Sequence, residues 1–312
     1  MDATRPQRLV ILLATVVLLT ACAPADPATT STDAAADRAG MVDIGDGREI
    51  YLECHGTGSP IVVLVSGLGD GAEVWSRQPE EAGPRSPTVY DDVASFTRVC
   101  AYDRPGTGGS RSTPVAQPTS AQTSADDLNE LLIASGETGP FVLAGHSYGG
   151  PIIRLFAGDH PNDVAGMVLV DGLSEDLEAG LTSAQRAVFE ELNSPPPQSG
   201  AESFDFTTLV AQLRGSSPVP DVPVIVLTAD TPQLTAEVLA SGQLPPGVDQ
   251  EFADALWAAQ SAAQDLLPAK FTHATHVTDT RSDHYIHLDN PQLVVDSIRE
   301  VVEDVRGTDQ SR

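Results

Sequence analysis

A serine set between glycines, Gly145-His146-Ser147-Tyr148-Gly149, follows the apolar run Phe141–Ala144 and precedes a helical stretch, Pro151–Gly158. A serine hydroxyl is a poor nucleophile at its own pKa and needs an adjacent base. A neutral imidazole, held in one tautomer by a carboxylate, meets that need. The chain has seven histidines to choose from. His146 adjoins Ser147 in the same turn, so its side chain must point elsewhere and pack. His55 and His160 stand beside loop glycines or prolines and read as surface residues, while His273 and His276 flank a short strand. His284 and His287 remain, both within Ser282–Pro291. Two aspartates stand where apolar runs end: Asp171 after Met167–Val170, and Asp230 after Val224–Thr228 and Ala229.

Groups so far apart in sequence need a rigid frame. The other apolar runs are short and rich in valine and isoleucine, as expected for strands buried on both faces. Met41–Gly45 and Arg48–Cys54 flank Asp46-Gly47, a hairpin pair. Ile61–Val65, Arg98–Tyr102, Phe141–Ala144, Gly166–Val170, Val222–Thr228 and Thr275–Thr278 complete eight. Between them Ala121–Ser135 places Leu128, Leu131 and Leu132 at helical spacing, and Gln292–Val305 carries Val294, Ile298, Val301 and Val305 on one stripe. Such alternation predicts a mostly parallel sheet with helices on both faces. Ser147 then sits in a strand-to-helix turn, where strained backbone angles lift its hydroxyl above the sheet edge and flanking side chains would collide. Leu173–Pro220 and Thr231–Pro268 are long inserts that read as cap segments. In the second, Phe252, Leu256, Trp257 and Gln260 form a stripe suited either to contacting substrate or to packing the helix on its neighbour.

This strand, turn and helix arrangement resembles the α/β-hydrolase fold, and three further motifs fall in the family's order. Val63–Gly69, VLVSGLG, stands at the strand and oxyanion loop, with Ser66 where histidine is common. Tyr102–Ser110, YDRPGTGGS, resembles the D-x-x-G-x-G-x-S turn, and Ser282–Pro291 resembles the segment around the family's histidine. The resemblance implies an eight-stranded, mostly parallel sheet flanked by helices, with a helical cap of about 173–220 inserted after strand 6, in a domain spanning 41–306. It selects His284 over His287 as the base, with Asp283 replacing the usual glycine before it. The acid follows strand 6 or strand 7 in such proteins; spacing favours Asp171, and Asp230 is the alternative. Backbone N–H groups of Leu68 and Tyr148 are the expected oxyanion donors. The family's strand order also puts Cys54 beside Cys100, which implies a disulfide rather than two buried thiols.

Composition limits the remaining classes. The 312 residues are 41% hydrophobic and carry 17 basic against 44 acidic side chains, a formal charge of −27. So acidic a chain excludes electrostatic binding to nucleic acid or anionic lipid heads. No H-E-x-x-H, Cys-x-x-Cys or nucleotide-binding glycine loop occurs, so no metal or cofactor is expected. Arg5 and Arg8, the apolar run Leu9–Leu19 and Leu19-Thr20-Ala21-Cys22 resemble a bacterial lipoprotein signal; the run is too short to span a bilayer. Residues 1–21 would be removed, Cys22 lipidated, and 22–40 would form a flexible tether at the outer face of the cell membrane.

The expected function is hydrolysis of a carboxylic ester, a small-molecule acyl substrate, through an acyl-enzyme. Alternatives are amide cleavage of the prolyl-aminopeptidase kind, acyl transfer, and a catalytically silent surface binding module. An aminopeptidase would want cap carboxylates for a substrate ammonium, and Glu175, Asp176, Glu178, Glu190 and Glu191 could supply them.

Overall fold

The computed structural model describes residues 36–78, 88–107, 110–194 and 199–309. The signal, Cys22 and most of the tether lie outside these residues, as do Gly108 and Gly109 of the glycine-rich turn.

Eight strands form one sheet: β1 (Arg38–Gly45), β2 (Arg48–His55), β3 (Val62–Val65), β4 (Val99–Asp103), β5 (Phe141–His146), β6 (Val164–Val170), β7 (Val224–Leu227) and β8 (Ala274–Val277). Their spatial order is β1-β2-β4-β3-β5-β6-β7-β8. β2 is antiparallel to both β1 and β4, and every other pair is parallel. β1 begins at Arg38, inside the expected tether. Small polar residues suffice there because the edge strand needs only its backbone ladder, in which Arg38, Ala39 and Gly40 stand opposite Cys54, Glu53 and Leu52. Cys54 and Cys100 face each other across β2 and β4, 4.1 Å apart at Cα, and are joined by a disulfide.

The helices are α1 (Val89–Ala94), α2 (Ala121–Ser135), α3 (Gly149–Asp159), α4 (Leu177–Gly180), α5 (Ser183–Leu192), α6 (Phe206–Gly215), α7 (Ala236–Ala240), α8 (Gln250–Leu266), α9 (Ile286–Asp289) and α10 (Pro291–Asp309). Side-chain alternation on β3 splits the core into two layers. Val63 and Val65 join the leucines of α2 and Ile152, Ile153 and Phe156 of α3 on one face. Val62 and Leu64 meet Val89 and Val93 of α1 and Val294, Ile298 and Val301 of α10 on the other. Each aliphatic side chain so buried contributes about 1.5–3 kcal/mol. Both faces of the sheet are therefore covered by helices.

The cap draws on both long inserts and not on 173–220 alone. α4, α5 and α6 follow β6, but α8, from the insert after β7, packs against α4 and completes the roof. Local caps define these helices: Thr182 and Gln185 form a reciprocal capping box on α5, and Asp249 accepts from Phe252 N at the start of α8. Among the described residues no helix is long and apolar enough to cross a membrane.

Candidate active site

Ser147 stands in the turn between β5 and α3 with φ of +50°, a left-handed conformation that costs a non-glycine residue free energy. A Cβ at Gly149 would lie 2.2 Å from Val65 O, so only glycine lets α3 start this close to β3. The turn is tied to its neighbours through Ser147 N to Val170 O, 3.1 Å, and Leu173 N to Ser147 O, 2.9 Å. Beside it Asp171 N donates to Leu227 O at 2.8 Å. The ends of β5, β6 and β7 are thus bound to one another.

Asp171 also takes a positive φ, +44°. Its buried carboxylate accepts from Ala229 N (3.1 Å) on Oδ1, and on Oδ2 from Gln260 Nε2 (3.0 Å) and His284 Nδ1 (2.6 Å). Asp230 is occupied elsewhere. Its two oxygens accept from Ser282 N and Arg281 N at 3.0 and 2.9 Å, and its own N–H donates to Ser282 O. It braces the loop that carries His284 without touching the imidazole. Asp283 does similar local work, accepting from Tyr285 N at 2.9 Å.

His284 has two histidine neighbours. His146 Nε2 lies 2.9 Å from His284 O, so the ring donates through Nε2, and its centroid is 4.7 Å from that of His284. The His287 ring packs at a tilt against His146, 4.4 Å between centroids, and against Trp75, 4.7 Å. Burial, then the nearby imidazoles, push His146 well below the usual histidine range. Burial and His284 push His287 down to about 3. Both are neutral packing groups at pH 7, and His284 alone of the three has a carboxylate partner.

The oxyanion-loop candidate runs from Ser66 to Asp70. Trp75 Nε1 donates to Ser66 Oγ (3.0 Å), which donates to Gly71 O (2.8 Å), closing the loop from within. This is a use for serine where histidine is common. Among the described residues no acceptor takes the N–H of Leu68 or of Tyr148.

Two recesses meet at Ser147 and His284. One is mainly apolar, lined by Leu173, Leu177, Phe189, Leu192, Phe204 and Leu256 among others, with about 700 Å³ of unfilled space, part of it open to solvent. The other is more polar and includes Gly69, Asp70, Asn193, Ser194 and Tyr285. The α8 stripe is divided: Leu256 and Gln260 face the apolar recess, while Phe252 packs in the core. Sequence reasoning placed Gln260 on that stripe without assigning it to the acid.

None of the five cap carboxylates lines either recess. Glu175 is fork-bonded by Arg154 at 2.8 and 3.0 Å and paired to Lys270 at 2.9 Å. Burial pushes its carboxyl up, but these two cations outweigh it and hold it at about 2. Asp176 shares Lys270, and Glu178 pairs with Arg214. Glu175, Asp176 and Glu178 are thus already paired with cations of this chain, and Glu190 and Glu191 line neither recess.

Known proteins resemble this chain in both sequence and fold. A protein of Azorhizobium caulinodans, provisionally named a carbamate hydrolase, is 34% identical over 128 residues, 41% of this chain and 43% of that protein. An uncharacterized Schizosaccharomyces pombe protein is 32% identical over 139 residues, 39% of this chain and 26% of that one. The chain thus spans less than half the length of these relatives. Among solved structures, Est816, an N-acyl homoserine lactone degrading enzyme, superposes with a TM-score of 0.55 at 19% identity, covering 84% of this chain and 100% of that one. A thermophilic esterase from Thermogutta terrifontis gives 0.53 at 20%, covering 87% and 99%. At these identities the structures speak for the fold alone. The sequence pattern of the alpha/beta hydrolase family runs through residues 62–297, most of the chain, and the protein belongs to that family.

Proposed function

We propose that the protein is a serine hydrolase that cleaves carboxylic esters through an acyl-enzyme. The observation that carries this reading is the 2.6 Å bond from His284 Nδ1 to a buried Asp171 oxygen, on a histidine that shares two recesses with Ser147. Ser147 Oγ attacks the acyl carbonyl and passes its proton to His284 Nε2. The carbonyl electron pair moves onto oxygen, where the N–H groups of Leu68 and Tyr148 receive it. Collapse breaks the ester C–O bond, and the departing alcohol takes the proton from His284. Water, activated by the same imidazole, then attacks the acyl-enzyme and releases the acid. Asp171 stays ionised throughout and holds the tautomer with Nδ1–H. Each oxyanion donor in such sites is worth about 10²–10³ in rate.

The recesses support an ester over a peptide. The apolar one suits an acyl chain and the polar one a departing alcohol, whereas none of the five cap carboxylates lines either recess, which removes the main argument for an aminopeptidase. Fluorophosphonate labelling followed by peptide mass spectrometry, together with hydrolysis of esters and carbamates of graded chain length, tests the reading. A tag on Ser147 that disappears in Ser147→Ala is expected, as is a labelling rate about 10³-fold lower or worse in His284→Ala. An untagged wild-type protein, or esterolysis that survives Ser147→Ala, contradicts it. Export and lipidation at Cys22 belong to the same proposal. They are supported by the Leu19–Cys22 box and checked by membrane fractionation of Cys22→Ala.

A further inference from the structure

A buried ion pair away from the serine, histidine and acid has partners that bear directly on the reaction. Arg104 follows β4 in the YDRPGTGGS turn, and Glu202 belongs to the cap segment before α6. Their side chains are 2% and 1% exposed. Arg104 Nε meets Glu202 Oε1 at 2.6 Å, and Nη2 meets Oε2 at 2.9 Å. Two further guanidinium donors go to the oxyanion loop: Nη1 to Ser66 O at 2.9 Å and Nη2 to Gly67 O at 2.6 Å. Glu202 Oε2 accepts from Gly69 N at 2.8 Å.

The Gly67 carbonyl and the Leu68 N–H belong to one peptide plane, and in a trans peptide they point in opposite directions. Holding Gly67 O therefore aims Leu68 N–H, the donor assigned above to the developing oxyanion. A guanidinium on that carbonyl also polarises the amide and strengthens its N–H as a donor. The grip on Gly69 N fixes the other side of Leu68. We propose that Arg104 and Glu202 are positioning residues for the oxyanion donor, so that seating of the cap and readiness of the oxyanion loop are one event. This rests on the serine-hydrolase reading.

The cap segment is held where the pair requires it. Glu202 N donates to Gly106 O at 2.7 Å, and a Cβ at Gly106 would come within 2.8 Å of Glu202 N. Thr119 N donates to Ser203 O, and Ser203 N to Gln117 Oε1 at 3.0 Å. Stability alone gives weak reason to bury such a pair, since apolar replacements of similar volume are often neutral or stabilising.

In the full chain, Glu202→Gln and the double variant Arg104→Met/Glu202→Met are compared with wild type on an oxyester and its thionoester. The double variant leaves Ser66 O, Gly67 O and Gly69 N without these side-chain partners, so it is expected to fold with a Tm below that of wild type. Oxyester kcat should fall about 10²-fold in both variants, with KM changed by less than about threefold. Because sulfur gains less from the oxyanion donors, the oxyester to thionoester rate ratio should fall about tenfold, and the pH profile of kcat should keep its midpoint. Hydrogen exchange at residues 66–70 should quicken in both variants. Wild-type kcat in the folded double variant, an equal loss on both substrates, a loss confined to KM, or unchanged exchange at 66–70 overturns the inference. Failure of the functional reading would look different, as an absent Ser147 tag in the wild-type protein.

Discussion

β6 and β7 each deliver an aspartate to the carboxyl edge of the sheet, and the two loops then diverge. After β6, the chain turns at once through a positive φ at Asp171 and points the carboxylate at His284 Nδ1. After β7, Thr228 and Ala229 intervene, and the Asp230 carboxylate meets two backbone N–H groups of the 280s loop. Ala229 N donates to Asp171 Oδ1, so the second loop even supports the first. One aspartate addresses an imidazole and the other addresses the loop that carries it. A carboxylate's role thus depends on which hydrogen-bond donors surround it, more than on its place at a strand end.

The strongest way to break this comparison is to neutralise each acid in turn. Asp171→Asn keeps the shape but favours the wrong imidazole tautomer, and kcat for ester hydrolysis should fall about 10⁴-fold with little change in KM. Asp230→Asn should leave kcat within about tenfold and instead lower stability by about 1–3 kcal/mol, read by denaturant unfolding, because two loop N–H groups lose their charged acceptor. Equal kinetic losses would erase the distinction. Gln260→Leu sharpens it further. Removing one donor from Asp171 Oδ2 should reduce kcat about tenfold, while the same substitution at neighbouring Ser261 should do much less.

The smallest effect concerns the histidines packed around His284. His287 takes a proton at about 3 in the folded state against 6.5 for an unperturbed imidazole, and His146 is also depressed. The unfolded chain therefore binds more protons below pH 6.5, so stability is full above that pH and declines as pH falls toward 3. Each histidine adds up to about 1.4 kcal/mol per pH unit to that slope. Unfolding measured at pH 7, 6 and 5 should show it, and His287→Phe should flatten it by one histidine's share. An unchanged slope would mean that the His287 imidazole is not kept neutral by burial.

These contrasts also mark what could be read in advance. The Ser147 turn was legible because glycines, an apolar run and a helix leave their marks within a dozen residues. Asp171 over Asp230 came from the family resemblance and spacing within it, which locate a strand end but cannot say which donors a carboxylate will meet. Gln260 and Glu202 show the limit more sharply. Gln260 looked like part of an amphipathic stripe, and Glu202 like one acid among many in a chain of charge −27. Their partners, Asp171 and Arg104, are distant in sequence and come near only when the cap folds over the sheet. Glu175 misled for the same reason: its neutralising partners, Arg154 and Lys270, come from α3 and from the turn after α8. The early start of β1 was hidden because an edge strand is specified by its neighbour's backbone, and its own side chains say little.

The central claim, that Asp171 rather than Asp230 holds His284, is most directly tested by proton NMR of the His284 Nδ1–H. A short hydrogen bond to carboxylate shifts this proton far downfield. The resonance should be present in wild type and in Asp230→Asn, and absent in Asp171→Asn with the protein still folded. A resonance that persists in Asp171→Asn, or vanishes only in Asp230→Asn, would contradict the account.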